Sequence, residues 1–322
     1  MTKTPMLSRV ADSLYWMARY LERAEHTARL LDVNLHSGLD QTPSAAARRW
    51  ERLLVTLHSV PPDCGATPYA ITQALTFDTA NNDSIVASIA AARENARQVR
   101  EQISSEMWEQ INRLYLQVRR TSMHEMWSGE PHVFFRAIKE GAHLFQGITD
   151  ATLSYDEGWW FIQIGRYLER ALATATLLDG HFGAFDTGAD DLAAGFDYLE
   201  WVSLLKSCTA FEAYCKVYTA SIRPEHVVEF LLLNADFPRS VRFAADMIQD
   251  AAQAIGRASA TRGTARVERL AGRLRAALDY GQVDEIMADM HAYLMSVRRM
   301  CLQVHDAIYH TYISYSVDTM LG

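Results

Sequence analysis

Apolar residues recur along this chain at the helical period. Leu14, Met17, Ala18, Leu21, Ala24, Ala28, Leu31 and Leu35 fall on one stripe at about 100° per residue. The opposite side carries Asp12, Tyr15, Arg19, Glu22, Arg23 and His26. Arg19, Glu22, Arg23 and His26 therefore share a face at spacings of three and four. Thr4-Pro5 supplies an N-cap and a first-turn proline, and Gly38 a stop, so a helix is predicted to about His36. The same spacing predicts helices over 45–59, from Pro68, and over 84–103, 106–127, 132–149, 158–181, 190–220, 224–234, 238–258, 265–280 and 283–316. Pro- and Gly-bearing loops at 61–65, 128–131, 183–188 and 262–264 separate them. Alternating Val/Ile/Thr runs are scarce. The fold class is all-α, a multi-helix bundle.

The pattern also repeats. Arg19-Tyr20-Leu21-Glu22-Arg23-Ala24 returns unchanged as Arg166-Tyr167-Leu168-Glu169-Arg170-Ala171. Between Arg19–Asp32 and Arg166–Asp179, 11 of 14 positions are identical, at an offset of 147. A second alignment, at an offset of 142, sets Asn82–Arg100 against Pro224–Arg242 and matches Arg97 and Arg100 to Arg239 and Arg242. Two pseudo-symmetric halves, 1–157 and 158–322, packed as one unit, are expected. The two repeat helices should meet near a pseudo-twofold axis.

In the second copy Ile162 and Ala173 replace Tyr15 and His26, and Trp159, Trp160, Phe161 and Ile164 add apolar surface. Arg166, Glu169 and Arg170 are then almost the only charges on an apolar helix, which reads as buried. Buried charges must be paired. One reading joins Arg19, Glu22, Arg23, Arg166, Glu169 and Arg170 in a salt-bridge network that fixes register. A sharper reading puts part of it in a cleft, with Arg clamping an anion and Glu positioning a nucleophile. Because Tyr15 and His26 keep the Glu22 face polar, Glu22 is expected to face the cleft and Glu169 to be structural.

Composition narrows the function. A net charge of −8 argues against nucleic-acid binding. No window is apolar enough to span a membrane, and no signal peptide opens the chain, so a cytoplasmic protein is expected. Cys64, Cys208, Cys215 and Cys301 form no C-x-x-C pair and read as reduced thiols. Paired Glu-x-x-His motifs are missing, so no metal is expected. Phosphate-cradle and serine-elbow motifs are missing too, and no cofactor is expected.

Met6-Leu7-Ser8-Arg9-Val10-Ala11-Asp12-Ser13-Leu14-Tyr15-Trp16, then Arg19–Glu25 and Ala28-Arg29-Leu30-Leu31, resembles the opening of the alpha-E domain family. Pro238-Arg239-Ser240-Val241-Arg242 and the Tyr-rich terminal helix are similar to it as well. That bacterial helical family is named for its E-R motif, here Glu22-Arg23; His26 stands where it commonly carries Asn. The resemblance implies a partner of a circularly permuted ATP-grasp protein, with a transglutaminase-like protein as a further neighbour, in a system that forms and trims amide bonds on peptides. An accessory protein holding a peptide substrate is the first expectation. An enzyme using an Arg/Glu cleft for acyl transfer, and a pure scaffold, are the rivals.

Overall fold

The computed structural model describes residues 6–37, 43–57, 59, 65–183, 194–219, 221–259 and 263–314. Thr4-Pro5, Gly38, Cys64, Asp190, Arg262 and most of the loops at 61–65 and 183–188 lie outside them. Among the described residues there is no strand. The first half runs α1 Ser8–Ser37, α2 Pro43–Thr56, α3 Pro68–Thr76, α4 Ile85–Gln98, α5 Ser105–Arg120, α6 Met123–Ser128 and α7 Pro131–Thr152. The second runs α8 Glu157–Phe182, α9 Ala194–Ser207, α10 Phe211–Tyr218, α11 Pro224–Val228, α12 Val241–Ser259, α13 Thr264–Asp279, α14 Val283–Ala288 and α15 Met290–Ile308. Single π-turns continue α11 over Glu229–Leu233 and α15 over Tyr309–Ile313. No described helix is long and apolar enough to cross a membrane.

Helices α1 and α8 pack on each other at the centre. Around α1 lie α4 and α7; around α8 lie α12 and α15. Helix α1 is therefore not amphipathic in place: its charged face is buried along with its apolar stripe, from Tyr15 and Arg19 to Arg29 and Asp32. The 142-residue alignment does not carry into this packing. It matches α4 to α11, but α11 packs on α9 and α14. It is α12 that lies on α8 as α4 lies on α1. Ser84 and Ser240, both buried, begin those two helices alike: each Oγ accepts from the N–H three residues on.

Local chemistry breaks three of the long predicted helices. The 106–127 segment divides at Ser122, whose capping box with Glu125 starts α6. The 190–220 segment divides at Thr209, which has φ 51°. The 283–316 segment divides at Asp289, which accepts from Ala292 N–H to cap α15. Helix α12 starts at Val241 rather than Pro238. The Pro238 carbonyl accepts from Arg170 and the Arg239 carbonyl from the Thr174 hydroxyl, so these carbonyls are spent on α8 and the segment is a turn, closed by Ser240 N–H on the Phe237 carbonyl.

The central pair is in backbone contact at Gly165. A Cβ there would collide with the Tyr15 carbonyl oxygen and sit 3.2 Å from its carbon. Gly147, exposed within α7, has nothing within 4 Å of the same position. Gly165→Ala should cost about 1–3 kcal/mol by overpacking. Gly147→Ala should gain about 0.5–1 kcal/mol of helix propensity. Urea unfolding of the two variants checks this, and a neutral Gly165→Ala would contradict the close approach.

Candidate functional site

The two copies of the Glu-Arg motif meet where α1 crosses α8, and they pair crosswise. Glu22 receives Arg170 in a forked contact, Nε to Oε1 at 2.7 Å and Nη2 to Oε2 at 2.9 Å. Glu169 receives Arg19 Nε at 2.7 Å and Arg23 Nε at 2.6 Å on its two oxygens. Each glutamate is thus neutralised by the opposite helix. Arg19 Nη1 also donates to Tyr15 Oη, which in turn reaches His305 Nδ1 of α15 at 2.7 Å.

Arg239 adds a second guanidinium beside Glu22. The turn before α12 carries it to 3.4 Å from Glu22 and 3.1 Å from Glu25, and His143 of α7 lies on the same group. Glu25 is fully buried and pairs with Arg29, whose Nη1 donates to Thr209 at the α9–α10 break. Gln146 of α7 donates to Glu22. Further along, Lys139 and His132 of α7 hold Asp32.

Sequence reading stopped at His26 and so missed Glu25, Arg29 and Asp32. The signal was present, because Glu22, Glu25, Arg29, Asp32 and His36 continue one face at spacings of three and four. Their partners on α7, at 132, 139, 143 and 146, gave no pattern tied to α1. Of the predicted residues, Tyr15, Arg19, Glu22, Arg23, Glu169, Arg170 and Arg239 come together. Arg166 turns instead toward Asp150, 3.6 Å away. Arg97 is a surface residue paired with Glu94, Arg100 lies over Trp108, and Arg242 pairs with Asp279.

A cleft of 260 Å³ opens beside the motif, lined by Arg23, His26, Asp83 and Glu169. This reverses the expected asymmetry. Glu22 is sealed, at 1% exposure, between Arg170, Arg239 and Gln146. Glu169 lines the open side. The reason is Arg239, which arrives from α12's leading segment and closes over Glu22, and which residue types on α1 alone did not reveal.

Five arginines at this centre, Arg19, Arg23, Arg29, Arg170 and Arg239, face three glutamates, Glu22, Glu25 and Glu169; the more exposed Asp83 adds one further carboxylate, on Arg23. Burial would raise the Glu22 carboxyl, but Arg170 and Arg239 outweigh it and hold it well below the usual carboxylate range. Arg19 and Arg23 likewise outweigh burial at Glu169 and lower it. Burial first, and then Arg239, push His26 and His143 each down to about 4. Burial lifts the Cys208 thiol to about 11 and Cys301 to about 12.

Two outcomes follow. Glu22→Gln keeps shape but strands the buried Arg170 and leaves Arg239 to Glu25 alone, and should cost about 3–5 kcal/mol, as one-sided breaking of a buried pair does. Glu169→Gln should cost less, because Arg23 keeps Asp83 and lies next to the cleft. Thermal melts rank them; the opposite order would refute the sealed position of Glu22. The second outcome concerns pH. His26 titrates near 4 when folded against about 6.5 unfolded. A depressed folded value stabilises above the unfolded pKa, and that contribution is lost as pH falls from about 6.5 toward 4. The loss for His26 is about 3 kcal/mol at most. His26→Gln should flatten the decline of melting temperature across that window, and an unchanged slope would exclude His26 as its source.

The comparisons agree with the motif. A mycobacterial protein from Mycobacterium bovis and one from Mycobacterium tuberculosis, both uncharacterized, are each 23% identical to this chain over 332 residues. The alignment covers 95% of this chain but only 37% of each relative, so the chain spans little more than a third of their length. No solved structure matches the chain. The family model of Alpha-E, "a predicted alpha-helical domain with a conserved ER motif", matches residues 6–313. With its Glu-Arg pairs crossed at the centre of an all-helical fold, the chain belongs to the Alpha-E family.

Proposed function

We propose that this chain is the helical, non-nucleotide-binding module of a peptide-ligase system driven by a circularly permuted ATP-grasp protein, and that it holds the peptide substrate. The observation that carries the reading is the length of its relatives. The chain spans 37% of each, which leaves 63% (100 − 37) of those polypeptides outside the shared helical unit and gives room for a fused catalytic partner. Acid–base catalysis works best with a group titrating near the working pH. At this centre Glu22 and Glu169 are held ionised and His26 is held neutral, which supports binding rather than proton transfer. The cleft beside Arg23 and Glu169 offers a cation and an anion side by side, a fit for the charged groups of a peptide.

A transglutaminase-like protein is a further partner in the same reading, and the use of ATP implies a cytoplasmic site of action. We also read segments 1–157 and 158–322 as one unit used twice, because α4 and α7 lie on α1 as α12 and α15 lie on α8.

Purified alone, the chain should not hydrolyse ATP. Co-expressed with the circularly permuted ATP-grasp protein of its own genome, it should co-elute with it in size-exclusion chromatography. Product formation from a peptide should require both proteins. ATP turnover by the isolated chain after stringent purification, or full ligase activity without it, would overturn the reading.

A further inference from the structure

The polar face of α1 continues past the Glu-Arg centre to a second group of side chains. Asp32 and His36 stand at i, i+4 on α1, and His132 is the second residue of α7. One ring nitrogen of each histidine and one carboxylate oxygen of Asp32 lie within 4.8 Å of one another. Asp32 Oδ1 is 2.8 Å from His132 Nδ1 and 3.4 Å from His36 Nδ1. The two imidazoles meet edge to face with centroids 4.7 Å apart.

Three further observations set this cluster apart from a chance surface contact. Asp32 is buried and its other oxygen is fixed by Lys139 Nζ at 2.6 Å, so the carboxylate is oriented. His36 Nδ1 lies 2.9 Å from the Asp32 carbonyl oxygen. A carbonyl only accepts, so Nδ1 carries the proton and Nε2 the lone pair. Ligand histidines are held in this way, with the far ring N–H given to a carbonyl or carboxylate. Finally, all three residues line a groove of 490 Å³. Arg49 and Lys206 stand on its other walls, and Arg49, itself buried, keeps an Nη1 with no hydrogen-bond partner among the described residues.

We propose that Asp32, His36 and His132 bind a divalent transition metal of the zinc class, with its remaining positions open to the groove. Two imidazoles and one carboxylate are a borderline donor set, suited to Zn²⁺, Co²⁺ or Ni²⁺ rather than Mg²⁺ or Ca²⁺. Bonds of about 2.0–2.1 Å in a tetrahedral site put ligand atoms roughly 3.4 Å apart. The His132 ring must retreat by about half an ångström on that scale, and it is exposed enough to do so. Three protein ligands leave a position for water or for the carboxylate of a bound molecule. The inference stands independently of the ligase-partner reading.

Untagged, chelator-stripped chain is titrated with Co²⁺ and then Zn²⁺. One equivalent of Co²⁺ should give the intense d–d bands of a low-coordinate site, and Zn²⁺ should bleach them. Zn²⁺ should raise the melting temperature in a concentration-dependent way. His36→Gln, at an exposed position, and His132→Gln, at a half-buried one, should keep the apo melting temperature and weaken Co²⁺ binding by more than about 100-fold. His124→Gln, at an exposed histidine of α6 outside the cluster, should change nothing. Failure of the unaltered chain to bind one equivalent, or binding that survives both cluster substitutions, would overturn the site.

Discussion

The crossed pairing of Glu22 with Arg170, and of Glu169 with Arg19 and Arg23, is the constraint around which the other helices are arranged. A charge removed from water costs several kcal/mol unless it is matched with good geometry. Helices α1 and α8 both carry charges to the middle of the molecule, and neither satisfies the charges of its own Glu-Arg motif. Only one relative register answers all of them. Gly165 permits that register by letting the backbones touch, and the Pro238-Arg239 segment secures it from outside by spending its carbonyls on α8. A slip of one residue would misplace every partner together.

The arrangement also decides what the centre can do. Burial, with Arg239 adding to it, keeps the neighbouring imidazoles neutral, while the guanidiniums, which outnumber the glutamates, hold the carboxylates ionised. Groups held so far from neutrality make a rigid electrostatic frame. Two openings lie along it, the cleft at Glu169 and the groove at Asp32.

Much of this was legible in the residues. An exact six-residue repeat of charged and apolar positions announced two like helices, and the apolar surround of Glu169 announced burial. The helical class followed from spacing alone. Other features were not legible, for definite reasons. The breaks at Ser122, Thr209 and Asp289 depend on single hydrogen bonds or one backbone angle inside otherwise helical patterns. That α12 lies on α8 as α4 lies on α1 was hidden because Val and Arg recur at an offset of 142 that the packing does not follow. Sealing of Glu22 depends on Arg239, which is 217 residues away. A search for Glu-x-x-His pairs passed over Asp32-x-x-x-His36, whose third member belongs to α7.

The ion pairs at the centre join residues 146 to 150 positions apart. During synthesis α1 therefore emerges with Glu22, Arg19 and Arg23 exposed and unanswered. At roughly 5–20 residues per second, α8 follows only about 7–30 s later. Until then the first helices have an apolar core to assemble around, but Asp83 and Gln146 answer the charged seam only in part. The nascent chain must keep that seam hydrated until the second copy of the motif leaves the ribosome and can pair with it.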